Sequence, residues 1–97
     1  MANYLILGKF TDQGIRNVKD TTKRAATFEE LGKSLGVQVL EIRWLIGAYD
    51  VMSLVDAPDE QTVTALLLKA GSKGNVQTTT LRAFNKDEMG SIIQKMV

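Results

Sequence analysis

Val37-Gln38-Val39-Leu40-Glu41-Ile42-Arg43-Trp44-Leu45-Ile46-Gly47-Ala48-Tyr49-Asp50-Val51-Met52-Ser53-Leu54-Val55-Asp56 is the stretch that decides the fold. Two apolar runs rich in β-branched residues flank Gly47-Ala48, and a two-residue loop with glycine first predicts a type II′ hairpin. That register sets Ile46 opposite Tyr49, Trp44 opposite Val51 and Leu40 opposite Val55. The alternation so defined is almost wholly apolar and belongs under a layer of helices. The other face then carries Val39, Glu41, Arg43 and Leu45 against Asp56, Leu54, Met52 and Asp50.

Upstream, Asn3 to Phe10 is apolar on both alternations, which predicts a strand covered on both sides. Thr11, Asp12 and Gly14 end it. From Ile15 to Leu35 the composition is helical, but at about 100° per residue Ile15 and Val18 point away from Phe28, Leu31 and Leu35. A break near Asp20-Thr21 resolves the conflict. It separates a short turn from a main helix over about Thr22 to Leu35, with Asp20 or Thr21 as N-cap and Gly36 as its stop.

Downstream, Asp56-Ala57-Pro58 reads as a helix start with Asp56 as N-cap. Val63, Leu66, Leu67 and Ala70 recur at helical spacing, and Gly71 closes that helix. Asn75 to Phe84 predicts a fourth strand. Asn85 and Glu88 stand at capping-box spacing ahead of Met89, Ile92, Ile93 and Met96. The order β, α, β, β, α, β, α over residues 1–97 predicts one α+β domain. It is a ferredoxin-like split βαβ sandwich: a four-stranded antiparallel sheet with two main helices on one face plus a C-terminal helix.

Composition narrows the chemistry. The 97 residues suffice for one two-layer core. Without cysteine there is no disulfide framework, thiolate metal site or cysteine nucleophile, and without histidine the usual proton shuttle and zinc ligand are missing. No metal and no cofactor is expected. Twelve basic residues against eleven acidic ones, interspersed, give no footprint for nucleic acid or a membrane surface. No targeting segment or membrane-length apolar run is visible, so a cytoplasmic location is the default. An RNA-recognition reading of the same topology fails because the fourth strand lacks stacking aromatics.

The second sheet face is too apolar to leave wet once Leu5 and Leu7 join it. Large exposed apolar patches are uncommon on monomers, so a homodimer or higher homo-oligomer through the sheets is expected. The alternative is that the C-terminal helix, Asp87 to Met96, folds back over that face.

Two polar groups are candidate sites. In the hairpin register Arg43 is a diagonal neighbour of Asp50 and lies beside Glu41. One reading is a structural ion pair at an interface. The other makes Asp50 an acid/base, with Arg43 holding an anionic or carbonyl group and Tyr49 or Trp44 nearby. Trp44, on the apolar alternation, also reads as core. Arg16, Asn17, Lys19, Asp20, Lys23 and Arg24 form the second group. They read either as solvated ion pairs or as an anion site at a chain break. Gly71-Ser72-Lys73-Gly74-Asn75 follows a helix and lacks Walker spacing, so it reads as a helix end and turn.

Gly47-Ala48-Tyr49-Asp50 and Ala57-Pro58-Asp59-Glu60 resemble the GYD domain family, within the dimeric α+β barrel type. Gly14 to Asp20, Arg24, Gly74 to Thr78 and Thr80 to Phe84 carry the resemblance over nearly the whole chain. Ala48 interrupts the three-letter signature. The resemblance implies a small bacterial-type protein of ferredoxin-like fold that associates through its sheet, and it implies no reaction. The expected function is a homo-oligomeric binding or interaction module. Itself and a small anionic or carbonyl metabolite are its expected partners, and Arg16, Asn17, Lys19, Arg24, Arg43 and Trp44 its candidate ligand contacts. The alternative is a cofactor-independent isomerase or monooxygenase acting on an enolisable carbonyl compound through Asp50, Tyr49 and Arg43.

Overall fold

The computed structural model describes residues 1–96. Its elements run β1 (Ala2–Phe10), α1 (Asp12–Arg16), a 3-10 turn (Val18–Asp20), α2 (Thr21–Ser34), β2 (Gln38–Trp44), β3 (Val51–Ala57), α3 (Glu60–Gly71), β4 (Val76–Ala83) and α4 (Lys86–Gln94). The four strands lie in the order β2-β3-β1-β4 with every neighbour antiparallel. This is the ferredoxin-like α+β arrangement, with α2 and α3 on one face.

The break before α2 falls where the helical phase fails, at Asp20-Thr21. The end of α2 is a Schellman motif. Gly36 at φ +77° lets Val37 N–H reach Gly32 O at 2.8 Å and Gly36 N–H reach Lys33 O at 3.1 Å. The core that follows is small: Tyr4, Ile6, Val37, Val55, Ala57, Val63 and Leu66, with Phe28, Leu31, Val39 and Leu67 packed around it. Leu66 and Val55 are fully buried. Burying a side chain of that kind stabilises by about 1.5–3 kcal/mol.

Three sequence expectations are corrected. Trp44 does pair with Val51, but the tight Gly47-Ala48 hairpin does not form. β2 ends at Trp44, and Leu45 N–H closes on Asp50 O at 2.8 Å around a four-residue connection, 46–49. Ile46 is therefore fully exposed rather than paired with Tyr49. A bulge between Val39 and Glu41 then puts Val39, not Leu40, opposite Val55. Val39 joins the core and Leu40 turns outward. Finally, Asp59 and not Asp56 caps α3, because β3 stays paired with β1 as far as Ala57.

The face away from α2 and α3 carries Leu5 and Leu7 of β1, Met52 and Leu54 of β3, Glu41 and Arg43 of β2 and Leu81 of β4. The C-terminal helix α4 does not fold back over it. α4 leaves β4 through a full Asn85–Glu88 capping box, is tethered by an Arg82–Glu88 ion pair at 3.1 Å, and buries none of its residues.

Candidate functional site

Across the helix-facing side of the sheet, paired residues form rows. One row reads Thr80, Ile6, Ser53, Ile42, and the next reads Thr78, Gly8, Val51, Trp44. Ser53, Gly8 and Thr78 are short where neighbouring positions are bulky, so the sheet floor drops at that point. α3 fills the other end with Val63 and Leu66. Over the low floor, α2 brings Ala25, Phe28 and Leu31, and a cleft of about 260 Å³ remains between helix and sheet. Gly8 is tightly specified there, since a Cβ would meet methyl groups of Val51 and Val76 at 2.8 Å each.

The cleft is apolar inside, walled by Ile6, Phe10, Phe28, Ile42 and Val76. Its one deep polar side chain among the described residues is Ser53. Ser53 is 7% exposed, and its hydroxyl has no hydrogen-bond partner among the described residues. An unpaired buried hydroxyl costs about 1–3 kcal/mol, which is why such atoms are rare in folded proteins.

The rim is set by two side chains of opposite character. Trp44 donates its indole N–H to Thr21 Oγ1 at 3.0 Å, latching the end of β2 to the first residue of α2. Arg24 lies with its guanidinium 5.8 Å from the Phe10 ring centre. It donates to Asn17 O at 2.8 Å and to Gly14 O at 3.3 Å. A guanidinium has five N–H donors, so others stay available. Lys23 and Lys73 also line the cleft, and no Asp or Glu does.

The expected site residues are thus dispersed. Arg24 and Trp44 line the cleft, while Arg16, Asn17 and Lys19 sit on α1 and the following turn, exposed and off its lining. Arg43 is on the opposite face of the sheet, paired with Glu41 at 2.6 Å. Tyr49 is half-buried in the connection 46–49. The Asp50 carboxylate accepts the Phe10 N–H at 2.8 Å, and its own N–H donates to Gly8 O at 2.8 Å. Asp50 is a turn residue that ties the connection to β1, away from the cleft lining. Ser53, Gly8 and Thr78 were missed in the sequence. The signal was present as a serine and a glycine on otherwise apolar alternations, one to a strand.

Gly71 to Asn75 is a turn stapled to α1, as its position after a helix suggests. Thr11 Oγ1 donates to Gly74 O at 2.6 Å, and Gln13 Nε2 donates to Lys73 O and to Asn75 Oδ1, each at 3.0 Å. Among the described residues no helix is long and apolar enough to cross a membrane.

A helix-covered cleft on one side of a ferredoxin-like sheet and a bare apolar face on the other define a small α+β module. The chain belongs to the GYD domain family, which matches residues 4–93. It is 33% identical over 84 residues to the glutamine synthetase and cystathionine beta-lyase binding protein of Thermus thermophilus, covering 86% of this chain and 88% of that protein. Its fold is similar to the crystal structure of FFRP-DM1, with TM-score 0.59 and 22% identity over 87% of this chain and all of that one. It is also similar to the crystal structure of TTHA0845 from Thermus thermophilus, with TM-score 0.55 and 23% identity over 88% of this chain and 95% of that one.

Proposed function

We propose that this chain is a homo-oligomeric interaction module that assembles through the bare face of its sheet and carries a small-molecule cleft on the other side. The observation that supports the reading is that face: Leu5, Leu7, Met52, Leu54 and Leu81 lie on it, and α4 leaves it uncovered. Apolar surface of this kind is hidden most readily against a second copy, through a self-complementary twofold contact. Glu41 and Arg43 on the same face supply one charge of each sign for such a contact.

The similarity to a protein named for binding glutamine synthetase and cystathionine beta-lyase supports an enzyme-binding role. On this reading the assembled module works in the cytoplasm and docks on metabolic enzymes of the same organism. The cofactor-independent enzyme is the weaker alternative, because the carboxylate it needs as base is engaged by the Phe10 amide. Light scattering coupled to size exclusion tests the reading, first on the chain alone and then with the organism's own glutamine synthetase and cystathionine beta-lyase. A dimer or larger oligomer that co-elutes with one of these enzymes is expected. A monomer that binds neither would overturn it.

A further inference from the structure

We infer that the cleft between α2 and the sheet takes a small amphipathic monoanion, an aryl or alkyl carboxylate whose apolar body lies over Ser53 and whose charged end meets Arg24. This deepens the small-molecule part of the proposed function and rests on it. Three observations carry it. The interior is walled by aromatic and branched side chains, so the bound body is apolar. The volume of about 260 Å³ is smaller than drug-sized pockets, which fits a metabolite-sized molecule. The charged residues lining it are Lys23, Arg24 and Lys73, with no acid among them, so an anionic end is favoured at the mouth and a cationic one is not.

Ser53 provides an observation of a different kind. Its hydroxyl is more than nine-tenths buried, lines the cleft and has no partner among the described residues. A valine there would fill the floor without leaving a buried hydroxyl unpaired. A hydroxyl at this depth therefore fits a ligand that brings a hydrogen-bonding atom down to it, such as a ring hydroxyl or carbonyl oxygen.

Trp44 is the single tryptophan of the chain and sits on the rim, so its fluorescence reports occupancy directly. The full chain is titrated with phenylacetate, 4-hydroxyphenylacetate and octanoate, and with phenylacetamide as a neutral counterpart. Saturable binding of at least one carboxylate is expected, with the amide about tenfold weaker, the size of one charge-assisted hydrogen bond. Ser53→Val should lower affinity for 4-hydroxyphenylacetate severalfold more than for octanoate while keeping or raising Tm. Lys23→Gln with Lys73→Gln should weaken the carboxylates and leave the amide unchanged. This double variant serves if Arg24→Gln, whose arginine also holds backbone carbonyls, fails to fold. No saturable fluorescence change, equal binding of acid and amide, or indifference to both Ser53→Val and the lysine pair would each overturn the inference. Size-exclusion mass on the same samples separates it from the assembly reading, since a monomer that still binds the carboxylates overturns only the latter.

Discussion

The Asp50 carboxylate accepts the backbone N–H of Phe10 at 2.8 Å, joining the loop after β2 to the last residue of β1 across 40 positions of sequence. Asp50→Ala leaves that amide without its partner at the end of a central strand. A hydrogen bond to a charged acceptor in a half-buried setting stabilises by about 1.5–3 kcal/mol, so urea unfolding should lose about that much with an unchanged m-value. Asp50→Asn keeps an acceptor and should lose less. Equal stability of all three proteins would show that the bond does not form in solution.

The approach of Gly14 to Asn75 is closer still. A Cβ on Gly14 would lie 1.9 Å from the carbonyl oxygen of Asn75, and that oxygen also accepts Thr11 N–H at 3.1 Å. Backbone cannot rotate away as a side chain can, so Gly14→Ala must push α1 off the turn that enters β4. The expected loss is at or above the top of the ~1–3 kcal/mol range for overpacking. Gly90→Ala, where among the described residues the added carbon meets nothing within 4 Å beyond its chain neighbours and its own helix backbone, is the control and should be neutral or stabilising. Thermal unfolding of the two variants side by side checks the contrast.

Periodicity made the element order legible, because the helical phase, the apolar strands and the cap residues all act over a few neighbouring positions. The Asp20-Thr21 break and the Asn85–Glu88 capping box are examples. What failed depends on pairing between distant segments. The Leu40 bulge arises where β2 pairs with β3, and it exchanges Val39 for Leu40 in the core without any local sequence mark. Asp56 resembles an N-cap as well as Asp59 does, and the choice between them is made by β1 pairing as far as Ala57. The cleft was illegible for the same reason: Gly8, Ser53 and Thr78 lie on three strands and become one floor only after the sheet forms.

Acid should loosen the starts of α3 and α4, the two helix starts held by a carboxylate. Thr62, by its hydroxyl and its amide, holds the Asp59 carboxyl below the usual carboxylate range. The Asn85 N–H, with the Arg82 guanidinium next in weight, does the same for Glu88. A carboxyl whose folded pKa is depressed binds fewer protons folded than unfolded. Its contribution is therefore complete above the ordinary carboxylate value and lost as pH falls through the folded one. Stability should decline below about pH 4, and Asp59→Asn and Glu88→Gln should each flatten the decline. Urea midpoints at a series of pH values between neutral and strongly acidic measure it. An unchanged slope in both variants would assign the acid sensitivity to other carboxyls.

Assembly through the sheet has a direct test in Leu81. It lies on the bare face, pairs with Leu5 across β1 and β4, and is 45% exposed in the single chain. A charge there costs the isolated protomer little, because the side chain can turn to water. In a sheet-to-sheet contact the same carboxylate would be buried without a partner, and unpaired buried charge is far more costly than a lost methyl contact. Leu81→Glu should therefore leave a monomer at micromolar concentration where the parent forms the proposed oligomer, with a circular dichroism spectrum like that of the parent. Ile93→Glu on the exposed α4 is the contrast. If Leu81→Glu leaves the mass unchanged and Ile93→Glu lowers it, the contact runs through α4 and not through the sheet face.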